Sequence, residues 1–426
     1  MIDDRKVPEG RLGRFARMAS VGLRSGTSLL VSKDGDSAAK HAAEVFGTLR
    51  GLAAKVGQMA SYVDGVVPEK HRDAYETAMK GLRAAAPTSS AAEIRAMVES
   101  ELGAPIDRLF AAWNDAPLAS ASIGQVHHAT LNDGRQVAVK VQHPGIVRAI
   151  DADLANAGML SGLVTVMGGR RFNAKAQLEV VRARFREELD YRLEAERIEK
   201  FRAIHAGDET VRVLSIVADR CSTRVLTTEF VDGVGFDQAC AASDEQKRAW
   251  AQTMWRFVFK GTLVGGVFNA DPHPGNYIFH EGGAVTFLDF GCVQAIPKSD
   301  QRNARRMHRA AIAVDQVEFD DAARALIGMK PGELGERSLS YIRLCFQPLF
   351  HRPYRLTRPY ASSLVEQMKE LAVVARKAPL DEFFDLAPDM LFMNRLQFGF
   401  YSVLARFDVD VDYAAVEEAF LHLATG

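Results

Sequence analysis

Apolar residues recur every three and four positions across residues 40–112, the period of amphipathic helices. Pro68 and the run Ala86-Pro87-Thr88-Ser89-Ser90 predict breaks, and Ser90 with Glu93 predicts a capping box opening the next helix. The period then changes. Residues 125–130 and 136–142 are short β-prone runs flanking Asn132-Asp133-Gly134, a strong hairpin signal. After Pro144 the helical period returns over 146–204, with one helix expected across 174–201. Residues 211–217 and 223–231 again look like strands. From about 236 onward helices dominate, interrupted over 266–294 by loops and the short runs 277–280 and 285–288. Helices, a small sheet, then a larger helical body make an α+β fold of two lobes.

Composition narrows the function. The 426 residues are 47% hydrophobic, enough for one large domain or two ordinary ones. Lys and Arg number 53 against 54 Asp and Glu, a net charge of −1, which argues against a dedicated nucleic-acid binder. Cys221, Cys240, Cys292 and Cys345 are widely spaced with no CxxC, so a zinc site or disulfide framework is not expected and a reducing compartment fits. The longest uncharged stretch, 154–169, is shorter than the roughly 20 residues a spanning helix needs. The N-terminus carries no compact apolar run of the secretory kind. Arg11, Arg14, Arg17 and Arg24 punctuate Leu12, Phe15, Met18, Val21 and Leu23. That pattern suits a membrane surface, but it suits the solvated face of an ordinary helix better. The expected location is cytoplasmic, with peripheral contact on the inner face of a membrane.

The candidate chemistry is phosphoryl transfer. Asp271-Pro272-His273-Pro274-Gly275-Asn276 places an Asp five residues before an Asn, and Asp289-Phe290-Gly291 follows an apolar run. At that spacing Asp271 orients or deprotonates an attacking hydroxyl, while Asn276 and Asp289 offer the oxygens that Mg²⁺ prefers. Upstream, Lys140 sits near the end of the apolar strand Val137-Ala138-Val139, where it can reach nucleotide phosphates. The loop Ala119-Ser120-Ala121-Ser122-Ile123-Gly124 stands where a glycine-rich phosphate loop would, with a single glycine. A kinase-like lysine also needs an acid. Glu187, Asp190 and Glu194 fall near one face of the 174–201 helix and Glu188 on another, although the alternation with Arg182, Arg184, Arg186 and Arg192 also describes a solvated face. Thr228-Glu229-Phe230-Val231 would be an interlobe hinge, with backbone at Glu229 and Val231 for adenine.

These residues resemble the UbiB family of atypical protein-kinase-like proteins, also called the AarF or ADCK type. The resemblance rests on Lys55-Val56-Gly57-Gln58 (KxGQ), Ala119 to His127 (the Ala-rich loop and S-I-G-Q-V-H), Glu188-Leu189-Asp190 (ExD) and Asn269 to Asn276. The opening Lys6-Val7-Pro8 with Arg11-Leu12-Gly13-Arg14 is similar to the coenzyme-Q-linked branch. It implies a two-lobed kinase-like fold binding ATP or ADP with Mg²⁺, unorthodox kinase or ATPase activity, and a role in ubiquinone or related prenyl-lipid metabolism. By the same resemblance Lys140 and Glu194 grip the nucleotide phosphates, Asp271 is the catalytic acid, and Asn276 with Asp289 holds metal. A KxGQ helix bearing Lys55 and Gln58 folds over the active site, where Glu188 and Asp190, pointing to different neighbours, regulate it. Ser120 departs from the family's usual Ala. The implied partners are a nucleotide, a prenyl lipid or quinone precursor, a membrane surface and lipid-biosynthesis enzymes.

The implied segments are a basic amphipathic 1–39, a helical extension 40–112 with KxGQ, an N-lobe 113–231 with a helical insertion, and a helical C-lobe 232–426. Two other readings stay open. A small-molecule kinase of the aminoglycoside or choline type shares Asp271, His273 and Asn276 but lacks the KxGQ helices. A nucleotide-binding pseudokinase scaffold would keep the site and act by binding partners.

Overall fold

The computed structural model describes residues 89–120, 123–151, 183, 186–379, 381–382, 384 and 390–423, with 390–396 described by backbone alone. The chain forms two compact units. Of the described residues, those within 67–195 and 215–230 belong to the first unit and those within 196–214 and 231–426 to the second.

The first unit is a four-stranded antiparallel sheet in the order β1 (Ala112–Ser120), β2 (Gly124–Thr130), β3 (Gln136–Gln142), β5 (Val225–Glu229). The helices α1 (Ala91–Leu102) and α2 (Ile106–Leu109) lie against it, and Ile94, Val98, Ile106 and Leu109 share a core with Val137 and Val139. The capping box forms as expected: the Ser90 hydroxyl accepts from the Glu93 amide, and the Glu93 carboxylate accepts from the Ser90 amide. The β2–β3 hairpin closes where Asn132-Asp133-Gly134 predicts it, with Gly134 at φ 87° and its amide on the Leu131 carbonyl at 2.9 Å. β1 was not expected. Its sequence AWNDAPLAS is polar, contains Pro117 and forms a mostly exposed edge with two register shifts, so no period-2 signal marks it.

Two sequence expectations are corrected. The helix expected across 174–201 is not continuous among the described residues: 186–188 are helical, Leu189 turns, and α3 begins afresh at Tyr191–Ile204. Tyr191 donates its amide to the Thr223 carbonyl (3.0 Å), and the Asp190 carboxylate caps the Arg192 amide (3.0 Å). Glu187, Asp190 and Glu194 therefore do not share the face of one helix. The run 211–217 is also not one strand. β4 (Val211–Val213) pairs parallel with β8 (Val285–Phe287) in the second unit, whereas Val217 donates to Thr227 beside β5 in the first.

The second unit is mostly helical. Its small sheet has the order β4-β8-β7, with β7 at Tyr277–Phe279, and a separate pair joins β6 (Val267–Asn269) to β9 (Val293–Ala295). After α4 (Phe236–Cys240), the long α5 (Asp244–Leu263) is capped by Ser243 and buries Trp250, Met254, Trp255 and Phe257. Helices follow at Lys298–Ile312 (α6), Gln316–Ile327 (α7), Glu333–Cys345 (α8), Gln347–Phe350 (α9), Arg358–Lys377 (α10), Met390–Leu404 (α11) and Tyr413–Leu421 (α12). Buried Glu417 on α12 accepts from the Trp255 indole (2.9 Å) and meets the His308 ring (2.7 Å). Among the described residues no helix is long and apolar enough to cross a membrane.

An aromatic stack stands behind Asp289. Phe257 stacks on Phe287 (3.6 Å between centroids) and on His205 (5.2 Å), and Phe201 of α3 packs on Phe290 (5.1 Å). His205 is 3% exposed, and neither ring nitrogen has a hydrogen-bond partner. Burial, with Lys260 nearby, pushes its imidazole from the ordinary 6.5 down to about 3.

Two outcomes are expected. A Cβ on Gly124 would lie 2.5 Å from the Val141 carbonyl oxygen and 2.7 Å from the Tyr191 hydroxyl. Gly124→Ala should therefore cost about 1–3 kcal/mol in urea unfolding, and an unchanged midpoint would contradict the close approach. For His205 the unfolded chain takes up its proton first as pH falls. The stability its neutral form contributes is complete above 6.5 and is lost between 6.5 and about 3. Changing His205→Phe keeps the stack, so the fall in unfolding free energy from pH 7.5 to pH 5 should shrink by about 1–2 kcal/mol. Equal falls in the two proteins would place the acid sensitivity elsewhere.

Candidate active site

Lys140 stands on the central strand β3, between Val126 of β2 and Leu226 of β5. Its ammonium donates to both Glu194 carboxylate oxygens, at 2.8 and 3.0 Å, and lies 5.1 Å from the Tyr191 ring centroid. Glu194 is 2% exposed, so the lysine meets a carboxylate that water barely reaches. The break at Leu189-Asp190 places Glu194 in the first turn of α3. Its amide bonds the Asp190 carbonyl at 3.3 Å. Glu188 is buried just before the break, and the Asp190 carboxylate caps the helix after it.

The β1–β2 turn brings Ala119 and Ser120 to the end of β1, opposite Val126 and Gln125. Ile123 is buried, its carbonyl accepting the His143 amide at 2.9 Å, and Gly124 opens β2. Ala121 and Ser122 lie outside the described residues, as do Lys55, Gln58 and the basic segment around Arg11 to Arg24. At the expected hinge, Glu229 ends β5 with its amide on the Ser215 carbonyl and its carboxylate on the Ser215 amide. The Phe230 amide is engaged by Gln136, and the chain passes into the second unit at Val231.

In the second unit Asp271, Asn276 and Asp289 line one small cavity together with Asn269, Phe257 and Phe287. Each is fixed through the backbone. Asn269 donates to the Asp289 carbonyl (2.6 Å) and accepts from the Asp271 amide (3.1 Å), so one side chain ties the two acidic segments together. Ala270 and Cys292 bond across the β6–β9 pair (2.7 Å). The Asn276 amide nitrogen donates to the Asp271 carbonyl (3.1 Å), which leaves its oxygen as the end offered to a cation. One Asp289 oxygen accepts the Gly291 amide (2.9 Å), and Arg197 of α3 donates to the Gly291 carbonyl (2.8 Å). His273 spends its Nδ1 on the Gly275 amide, which shapes the loop.

This donor set suits Mg²⁺. The Asp289 carboxylate and the Asn276 amide oxygen are hard ligands, and Mg²⁺ would complete its shell with water and phosphate. Among the described residues no cluster of three His, Cys, Asp or Glu side chains would hold a metal alone. Tyr191 and Arg197 carried no sequence signal, because their partners lie far along the chain. Asn269, Gln125 and His127 sit inside motifs quoted from the sequence, but only the fold shows what they bond.

Comparisons with known proteins give the family and the fold. Residues 81–322 match the ABC1 atypical kinase-like domain. An uncharacterized protein of Mycobacterium tuberculosis is 33% identical over 305 residues, covering 70% of this chain and 60% of its own length. The mitochondrial atypical kinase COQ8B of Rattus norvegicus is 30% identical over 313 residues, covering 68% of this chain and 58% of its own length. The match thus spans under two thirds of either relative. Among solved structures, the complex of Rv3197 with erythromycin from Mycobacterium tuberculosis has a TM-score of 0.64 at 24% identity, covering 97% of this chain and all of that one, a likeness of fold. With a kinase-like α+β fold, a lysine–glutamate pair on β3 and α3, and an Asp–Asn–Asp set in one cavity, the chain belongs to the ABC1 atypical kinase-like family of UbiB type.

Proposed function

We propose that this chain is an atypical kinase-like ATPase that binds ATP or ADP with Mg²⁺ and supports ubiquinone or related prenyl-lipid metabolism. The observation carrying the nucleotide part is the convergence of Asp271, Asn276 and Asp289 on one cavity with their backbones locked. In this reading Asp289 and the Asn276 oxygen hold Mg²⁺, which when bound neutralises phosphate charge. Asp271 orients the attacking hydroxyl or water. Lys140, preorganised by Glu194, supplies an ammonium to the phosphates without having to search rotamers. Adenine would use the backbone near Val231, because the Glu229 and Phe230 amides are already bonded.

The segment after Asp289-Phe290-Gly291 supports an acceptor other than a general protein. Only Cys292 separates Gly291 from β9, and α6 starts at Lys298, so no long loop is present there to bind a peptide or carry a regulatory phosphate. The lipid role rests on the family resemblance, and so does membrane contact. Anionic vesicles or a quinone-precursor mimic that raise ATP hydrolysis would support it.

Two outcomes follow from the assigned roles. Asp289→Asn removes a charged ligand and should abolish most of the rise in Tm caused by Mg–ATP; an unchanged rise would remove Asp289 from the metal site. Asp271→Asn should lower phosphate release by about 10²–10⁴-fold while nucleotide affinity changes little. Equal turnover in the variant and the wild type would move the chemistry away from Asp271. Wild-type binding with no turnover at all would favour the scaffold reading.

A further inference from the structure

Gln142 is 1% exposed and stands two residues after Lys140 on β3, so the two side chains leave the same face of the sheet. Its amide nitrogen donates to the Leu189 carbonyl (2.7 Å) and to the Thr223 carbonyl (3.3 Å). Because both acceptors are carbonyls, the orientation of the carboxamide is fixed. The Thr223 carbonyl also accepts the Tyr191 amide (3.0 Å). One side chain of β3 and one backbone carbonyl before β5 therefore hold the chain on either side of Asp190, where α3 begins afresh. Gln142 Oε1 has no partner among the described residues. A buried amide bonded at one end only is a poor source of stability, so what this side chain contributes is a position.

That position decides where Glu194 points. Each residue of slip at the start of a helix turns every later side chain by about 100° and moves it about 1.5 Å along the axis. Glu194 is the fourth residue of α3 and meets the Lys140 ammonium with both oxygens, at 2.8 and 3.0 Å. A slip of one residue would swing the carboxylate off the ammonium. Tyr191, the first residue of α3, is wholly buried and sets its ring face 5.1 Å from the same ammonium. A lysine head sits on a flexible four-carbon stem, and a ring beside it narrows the rotamers in which the ion pair can form.

We infer that Gln142 and Tyr191 are positioning residues for Lys140: Gln142 fixes where α3 starts, and the Tyr191 ring fixes where the ammonium stands. The consequence for nucleotide affinity rests on the nucleotide reading proposed above; the placement of the ammonium does not. Neither side chain needs to touch the nucleotide.

Two measurements on the full chain at pH 7.5 test it. One is the rate at which an amine-acetylating reagent modifies Lys140 without nucleotide, read by mass spectrometry against exposed Lys377 in the same sample. The other is the Kd for Mg–ATP by calorimetry. Gln142→Met keeps the length and loses the donor, and should raise the Lys140 rate about 5-fold and Kd about 10-fold. Tyr191→Leu removes the ring and should have effects within about 2-fold of those. Tyr191→Phe keeps the ring and should return both readings to within about 3-fold of wild type. Val98→Ala, a core change where α1 packs on the same sheet, should lower Tm and leave both readings unchanged. Wild-type Lys140 rates in both Gln142→Met and Tyr191→Leu would overturn the inference. So would an equal rise in Val98→Ala, which would make the effect one of stability alone. If Gln142→Met fails to fold, the contrast between Tyr191→Leu and Tyr191→Phe still decides whether the ring places the ammonium. Raised rates beside an unchanged Kd would overturn Lys140 as the partner of the phosphates. Raised rates with no Mg–ATP binding by the wild type would overturn the nucleotide reading and uphold the placement.

Discussion

A carboxylate that water barely reaches has to be met by a cation, and much of the first unit is arranged around that requirement at Glu194. Lys140 meets it from the middle of the sheet, with both oxygens engaged and the Tyr191 ring beside the ammonium. The pair depends on the helix restarting at Tyr191, since a continuous helix would send Glu194 elsewhere. It depends also on Gly124, because a side chain there would collide with the Tyr191 hydroxyl and with β3. One turn beyond Glu194, Arg197 on the same helix holds the Gly291 carbonyl of the Asp289-Phe290-Gly291 turn.

The acidic cavity of the second unit obeys a different constraint. Asp271 and Asp289 line one cavity and like charges repel, so their positions have to be fixed by something other than each other. Here the backbone does this, through Asn269, the Asn276 amide and the Gly291 amide. Behind them the stack of Phe201, Phe257, Phe287 and Phe290 gives the turn a rigid apolar backing. His205 shares that stack as a neutral ring, which suits an apolar setting and fails in acid.

Much was legible in the sequence because it is local. Asn132-Asp133-Gly134 specifies its hairpin through residues in contact within the turn, and Ser90 with Glu93 caps its helix from three positions away. The short runs at 277–280 and 285–288 were readable as strands and pair as β7 with β8. The kinase-like spacing and the family resemblance singled out Lys140, Glu194, Asp271, Asn276 and Asp289; the structure pairs the first two and brings the other three to one cavity.

Distant partners decided the rest. The break before Tyr191 is set by the Thr223 carbonyl, and the division of 211–217 between two sheets by which strand lies beside each half. β1 carries too polar a sequence to announce itself and exists because β2 offers it a ladder. Gln125 and His127 looked like part of a loop motif, yet their bonds run to Ser89 and Asn114 beneath it. The sequence alone determined which chemical groups the protein owns and where its chain can turn. Which buried polar group faces which was left to the tertiary structure, because those bonds join residues with no periodicity or spacing in common, and burial alone makes them worth forming.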